Sequence, residues 1–236
     1  DDGSSDDTYL RAQEAARESS RVRVIRKPNG GKSSALNVGL AQARGSLVLN
    51  MDADSRISPN ALRACVPHFD DPTVGAVAGN VKVANRENLA TRLQAIEYIQ
   101  GLALERRAQS SVRAVSVIGG PLGVFRREAL IEAGGYDSDT FAEDRDLTLK
   151  MLAAGWAVTY EPTAQAWAES PSRWLDLVNQ RYRWTRGTVQ CVLKHRHLLT
   201  RLRQHPVASL SLWYMAADSL VVPVLSLFML AFFTHA

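Results

Sequence analysis

Asp52 and Asp54 stand two residues apart at the end of residues 47–55, just after the apolar run Leu47-Val48-Leu49. A short apolar run closed by a turn signal reads as a buried strand. In an extended segment, residues i and i+2 point the same way. Two carboxylates aimed at one point repel unless a cation stands between them. Hard oxygen ligands suit Mg2+ or Mn2+, ions that usually also take substrate phosphates. A solvated turn after a strand is the competing reading.

Other residue types add to this chemistry. Asp144 follows Glu143 at the mouth of a helix. It could be a general base, which needs one carboxylate beside an acceptor hydroxyl. It could equally complement the helix dipole. Lys32 opens a helix after Gly31, where a cation suits a phosphate. A P-loop needs a glycine five positions before Gly31, and Arg26 stands there, which argues against an NTPase. Gln180, Arg183 and Trp184 fall at i, i+3 and i+4, one face of a helix. Guanidinium recognises phosphate oxygens bidentately, and an indole stacks on a sugar ring. Basic and aromatic anchoring at a membrane interface would use the same residues.

Elements must hold these groups in place. Residues 9–19 read as a helix, 22–25 as a strand, and 32–43 as a helix ended by Gly45. A helix opens at Ser58-Pro59, residues 74–83 read as a strand, and 87–109 as a long amphipathic helix with Leu89, Leu93, Ile96 and Ala103 on one side. Residues 115–118 and 123–125 read as strands flanking Gly119-Gly120-Pro121, where glycine lets backbone approach a ligand. Residues 127–133 and 147–154 are helical, and 158–161 form a strand. Residues 172–199 read as a helix with one basic side, suited to a membrane interface. Residues 207–233 are almost uninterruptedly apolar, long enough for a span. Asp218 and Pro223 predict a kink there and a carboxylate facing protein or water.

Bulk properties set outer limits. The chain has 236 residues, 46% hydrophobic, with a net charge of +4. That suffices for one sizeable α/β domain and an appendage. Residues 172–205 hold eight Lys or Arg against one acid, directly before the apolar run. This asymmetry marks a cytoplasmic membrane face and disfavours nucleic acid as the partner of the basic patch. Cys65 and Cys191 have no metal-type spacing and read as reduced, inert thiols. Residues 1–7 look like a loop that should follow a strand. The expectation is therefore an N-terminally truncated fragment whose first strand and helix are missing.

The order Asp1-Asp2-Gly3-Ser4, Gly31-Lys32 with Ala35-Leu36-Asn37, Asp52-Ala53-Asp54, Glu143-Asp144 and Gln180-x-x-Arg183-Trp184 resembles the processive family-two glycosyltransferases. These include cellulose, chitin and hyaluronan synthases and bacterial poly-N-acetylglucosamine synthases, the last being nearest. Gly134-Gly135-Tyr136-Asp137 and Tyr160-Glu161-Pro162 fit the same pattern. The resemblance implies a GT-A-type α/β domain with a Rossmann-like mixed sheet over residues 1–171, an interfacial segment over 172–205 and a transmembrane segment over 206–236. It implies a UDP-sugar donor, a growing polysaccharide acceptor, a lipid membrane and Mg2+ or Mn2+. Asp2 would contact the uracil end of the donor, Lys32 would stand by its phosphates, Asp52 would help hold it, and Asp54 (with Asp52) would bind the metal. Asp144 would be the base. Gln180, Arg183 and Trp184 would hold the diphosphate and the acceptor sugar. Ala142 stands where many members have threonine or glycine. An export partner or a fused polysaccharide deacetylase module is a further implication, as is the inner membrane with the catalytic domain in the cytoplasm. Rival readings are a non-processive, lipid-directed transferase and an inactive nucleotide-sugar-binding scaffold.

Overall fold

The computed structural model describes residues 1–235, with side chains at all of these except 102, 226, 227, 230, 231 and 233–235. In chain order the elements are α1 (Thr8–Arg17), α2 (Lys32–Gln42), β1 (Leu47–Asn50), β2 (Arg56–Ile57), α3 (Ala61–Cys65), β3 (Val74–Val83), α4 (Leu89–Glu97), α5 (Glu105–Ser111), β4 (Gly123–Arg126), α6 (Arg127–Glu132), α7 (Glu143–Ala153), β5 (Ala157–Ala168), α8 (Trp174–Lys194), α9 (Pro206–Ala216) and α10 (Val222–His235). Short 3-10 turns follow α3 and α8, and π-helical turns join α4 to α5 and α9 to α10.

One sheet runs in the order β1-β4-β3-β5-β2. β3 and β5 are parallel and every other neighbouring pair is antiparallel, so the sheet is mixed. β3 is central and its first six residues are all buried. A strand covered on both faces reads as a continuous apolar run, which is what Val74, Ala76, Val77 and Ala78 supply. One face of the sheet carries Phe125, Val158, Leu147, Met151 and Leu212, from β4, β5, α7 and α9. The other buries Cys65, Phe69, Val77, Leu122 and Val124 beneath α3. Fully burying a leucine contributes about 1.5–3 kcal/mol. Leu147 and Met151, one turn apart and both sealed from solvent, therefore fix α7 to the sheet, and with α7 the carboxylates at its first turn.

Some expected elements differ. Residues 22–25 are in no ladder; the backbone opposite them is Asp1, whose amine donates to Ile25 O at 2.7 Å while Lys27 N donates to Asp1 O at 3.0 Å. That is the pattern of one parallel bridge, too little for a strand. Residues 115–118 form no strand either: one isolated parallel bridge joins Ala114 to Val158, with Val115 N donating to Val158 O at 3.1 Å, and beyond it side chains take the backbone. Gln109 Oε1 takes Ser116 N at 2.9 Å and Thr148 Oγ1 takes Ile118 N at 3.2 Å. Residues 87–109 are helical but broken by the π turn, and the side marked by Leu89, Leu93 and Ile96 is exposed. The buried side is Ala90, Thr91, Gln94 and Ala95. These smaller side chains let α4 lie close to the chain after β5, where Gln94 Nε2 donates to Pro171 O at 2.9 Å.

Residues Pro206–Leu225 are long and apolar enough to cross a membrane, and only 28% of that window is buried, less than a core helix would show. The π turn Ala217–Val221 precedes Pro223 and carries Asp218, which is exposed. A π turn next to a proline is a recognised cause of helix bending, so the expected interruption falls where Asp218 and Pro223 placed it.

Candidate active site

The site lies beyond the carboxyl end of β1, where open α/β sheets receive ligands. After Asn50 the chain turns tightly: Ser55 N donates to Asp52 O at 3.0 Å, and Asp52 N donates to Gly120 O at 3.0 Å. A Cβ on Gly120 would overlap the Asp52 carboxylate. The Gly119-Gly120 pair therefore serves close approach, and the group it approaches is Asp52.

Three segments far apart in sequence meet at Lys32. Its Nζ lies 2.8 Å from Asp52 Oδ1 and 3.0 Å from Glu143 Oε1. Burial disfavours its charge, but the two carboxylates outweigh burial and raise its pKa. The helix bearing Lys32 is pinned by its polar side chains. Asn37 Nδ2 donates to Tyr136 O at 2.8 Å, Tyr136 N donates back to Asn37 Oδ1 at 2.9 Å, and Ser33 Oγ donates to Asp137 O at 2.7 Å. Asn37 and the 134–137 segment, co-occurring in the sequence pattern, are thus one joint that brings α2 to the mouth of α7. Asp2 is spent locally. It accepts from Lys27 Nζ, from Gly30 N and from Gly31 N at 2.7 Å, which shapes the loop before α2.

Asp144 sits one residue into α7 and is half-buried. Burial, and then the charge of Glu143, raise its pKa; Arg145 and Lys32 pull the other way. Arg145 N donates to Asp144 Oδ1 at 2.8 Å. Beneath it lies Arg106, 3% exposed, whose guanidinium donates to Gly79 O at 3.0 Å and whose Nε has no partner among the described residues. Arg106 was not legible in sequence: an Arg106-Arg107 pair on an amphipathic helix looks like a surface feature.

α8 reaches this site through a close contact. A Cβ on Gly187 would meet Ala142 N and Phe141 C at 2.8 Å, and Gln190 Oε1 accepts from Phe141 N at 3.0 Å. Trp184 lies about one turn before Gly187 on the same helix. Its ring is covered by Arg181, whose guanidinium centres 4.4 Å above it and pairs with Glu97 at 2.6 Å. Arg183 is exposed and forms no hydrogen bond or ion pair among the described residues. Gln180 Oε1 is buried without a hydrogen-bond partner there. The structure thus joins Lys32, Asp52, Glu143 and Asp144 in one cluster, carries Gln180, Arg183 and Trp184 on the helix whose Gly187 touches the mouth of α7, and sets Asp2 against the Gly30-Gly31 backbone that leads into Lys32.

Two kinds of carboxylate could hold a cation. Asp54 is exposed and takes only a 3.3 Å contact from Ser55 Oγ, so its oxygens are open to a hard ion and a diphosphate. Elsewhere, Asp146, Cys191 and His195 lie within metal-binding reach of one another, as do Asp137, Asp139 and Asp146. Lys194 Nζ stands 3.1 Å from Asp146 Oδ1 and 2.7 Å from Asp137 Oδ2, and already supplies a cation to that network. A divalent cation bound together with diphosphate fits the Asp54 side better.

A mixed sheet with a carboxylate turn beyond its first strand and a base-like carboxylate on a facing helix defines a GT-A-type nucleotide-sugar glycosyltransferase fold. The chain belongs to glycosyl transferase family group 2, whose profile it matches over residues 47–236. It is 30% identical over 207 residues to a poly-beta-1,6-N-acetyl-D-glucosamine synthase of Staphylococcus aureus, covering 87% of this chain and 50% of the relative. A synthase of the same description from Staphylococcus epidermidis is 32% identical over 194 residues, covering 82% and 47%. The chain therefore spans about half the length of the curated relatives it matches. Among solved structures, the mannosyltransferase PcManGT of Pyrobaculum calidifontis, in complex with GDP-Man and Mn2+, superposes with a TM-score of 0.66 at 23% identity, covering 97% of this chain and 69% of that one. TarS of S. aureus, solved with UDP-GlcNAc, superposes at 0.63 and 18%, covering 92% and 62%.

Proposed function

We propose that the chain is the catalytic part of a membrane-bound inverting transferase that moves N-acetylglucosamine from UDP-N-acetylglucosamine to a growing β-linked polysaccharide. The observation carrying this is the convergence at Lys32, which binds Asp52 and Glu143 together one residue from Asp144. The identity of about 30% to two poly-N-acetylglucosamine synthases supports the sugar. Asp144 accepts the proton of the acceptor hydroxyl, and that oxygen attacks the anomeric carbon as UDP leaves. Arg183 meets the negative charge developing on the leaving diphosphate. Trp184 stacks on the acceptor ring, and Gln180 binds it or the diphosphate. Asp54, with Asp52, would hold Mg2+ or Mn2+, which supplies Lewis-acid stabilisation of the diphosphate. Lys32 keeps Asp52 oriented toward the donor, and Asp2 contributes by shaping the loop at the nucleotide end. The basic 172–205 segment supports a cytoplasmic catalytic face.

The test is radiolabel incorporation from a panel of UDP-sugars by membranes carrying the protein, with and without a chelator. Polymer from UDP-N-acetylglucosamine, lost on chelation and restored by Mg2+ or Mn2+, is the expected result. Single-sugar transfer to lipid would replace the polymerase reading with a non-processive one. Absence of turnover with every donor would sink both.

A further inference from the structure

α8 meets α7 along one stripe. Gly187, Cys191, Lys194 and His195 fall at i, i+4, i+7 and i+8. Gly187 touches the backbone of Phe141 and Ala142, and Cys191 is fully buried. At the far end the other two residues close on Asp146, which is sealed from solvent. His195 Nε2 lies 2.6 Å from Asp146 Oδ1, and Lys194 Nζ lies 3.1 Å from the same oxygen. Burial opposes the charge of Asp146, but His195 and Lys194 outweigh it and hold its pKa below the ordinary value. The carboxylate is therefore ionised and His195 donates through Nε2. Lys194 also reaches Asp137 Oδ2 at 2.7 Å, and Asp137 O holds Ser33 Oγ of α2. One node thus ties the end of α8 to the helix of Asp144 and to the joint that carries Lys32.

Toward its N-terminus the same stripe continues through Trp184, Arg183 and Gln180, which precede Gly187 by three, four and seven residues. There it is no longer seated, and Arg183 and Trp184 are exposed. The seated end must therefore fix the rotation and axial position of the free end. Apolar burial is non-directional and tolerates slippage, whereas a donor aimed at one buried oxygen does not. A slip of one residue would turn α8 by about 100° and shift it by about 1.5 Å. We propose that His195 is a positioning residue for transfer: seated on Asp146, it fixes how α8 presents Gln180, Arg183 and Trp184 relative to the mouth of α7. It touches no substrate and acts through those three residues. The inference rests on the diphosphate and acceptor roles proposed above for that face.

The test reads kcat for radiolabel transfer, and donor affinity by titration calorimetry, in the full chain carrying His195→Leu, His195→Gln, Trp184→Ala or His195→Leu with Trp184→Ala. His195→Leu should lower kcat by about 10²-fold, the cost of a misplacement of about 1 Å, with donor affinity unchanged. His195→Gln, whose amide still reaches Asp146, should recover most of that loss. The double variant should lose less than the product of the two single losses, because both substitutions act through one helix face. His195→Asn, one methylene too short for that reach, replaces His195→Leu if the latter does not fold. Unchanged kcat in His195→Leu, equal losses in the Leu and Gln variants, a parallel fall in donor affinity, or losses that multiply would each overturn the inference. Absence of transfer by the unsubstituted protein would instead overturn the proposed function.

Discussion

The two ends of the candidate site are built differently. At the donor end the charges are already paired: Lys32 bridges Asp52 and Glu143, and Asp2 is saturated by Lys27 and two backbone N–H groups. On the α8 side, proposed for the leaving diphosphate and the acceptor, Arg183 is exposed and its side chain unpaired among the described residues, Gln180 has a bare oxygen, and Trp184 is 39% exposed. Preorganised charge at the donor end costs no rearrangement at the moment of reaction. The acceptor end is open by contrast, as a groove that must let a product slide would be. The difference predicts that donor-end substitutions alter binding of the nucleotide sugar, while acceptor-end substitutions alter turnover.

The largest effect should come from the group between the two ends. Asp144→Asn removes the base but keeps size and hydrogen bonding. Transfer should fall by about 10²–10⁴, the usual contribution of a positioned base. Donor affinity, measured by titration calorimetry, should stay close to that of the unsubstituted protein. Near-normal turnover would remove Asp144 from the mechanism. Next is Arg183→Ala, expected to lower kcat by about 10²–10³, as loss of one charge-stabilising donor does elsewhere. Arg183→Lys should recover only part of this, since an ammonium keeps the charge but not the bidentate fork. A pure rise in KM for donor with unchanged kcat would mean that Arg183 binds the diphosphate equally in the ground state and does not meet the charge developing as UDP leaves.

These two ends were unequally legible in sequence. Residue type and spacing single out Asp52, Asp144, Lys32 and the Gln180–Trp184 face as candidates, because short-range periodicity survives in a linear string, while their roles rest on the family resemblance. How α4 packs is not legible there. Its apolar positions have helical spacing, but periodicity shows that a face exists and not what covers it; here small and polar residues face the core and leucines face out. The strand expected at 115–118 failed for a related reason, since Gln109 and Thr148 compete with the ladder from other elements. The resemblance implies a donor contact for Asp2; that its carboxylate also holds Lys27 and the Gly30-Gly31 backbone is visible only in the tertiary path of residues 27–31.

The seam between the ends is Gly187. A methyl group there would press on the backbone of Phe141 and Ala142, which cannot swing aside as a side chain can. Overpacking of this kind costs about 1–3 kcal/mol. Gly187→Ala should therefore lower Tm and, by moving α8 away from the mouth of α7, lower kcat more than donor affinity. Loss of donor affinity alone would mean that α8 does not control the acceptor end.

The smallest effect is the most diagnostic, because its sign can be worked out for two substitutions. A base must be ionised to act, so activity is lost as pH falls through the pKa of Asp144. Burial and Glu143 hold that pKa above the ordinary carboxylate value of 3.8, and Lys32 opposes them. The acid limb of the kcat/KM profile should therefore be displaced upward from the ordinary carboxylate value. Glu143→Gln deletes a negative neighbour, which lowers the pKa, and it also frees Lys32 from one of its two partners. Both changes favour the ionised base, so the acid limb moves to lower pH. Lys32→Met deletes the opposing cation and moves the limb to higher pH, while weakening donor binding through Asp52. Opposite displacements in the two variants would show that the donor-end ion pairs also tune the base. Displacement in the same direction, or none, would mean that Asp144 titrates independently of that cluster, and that the pairing at Lys32 serves orientation alone.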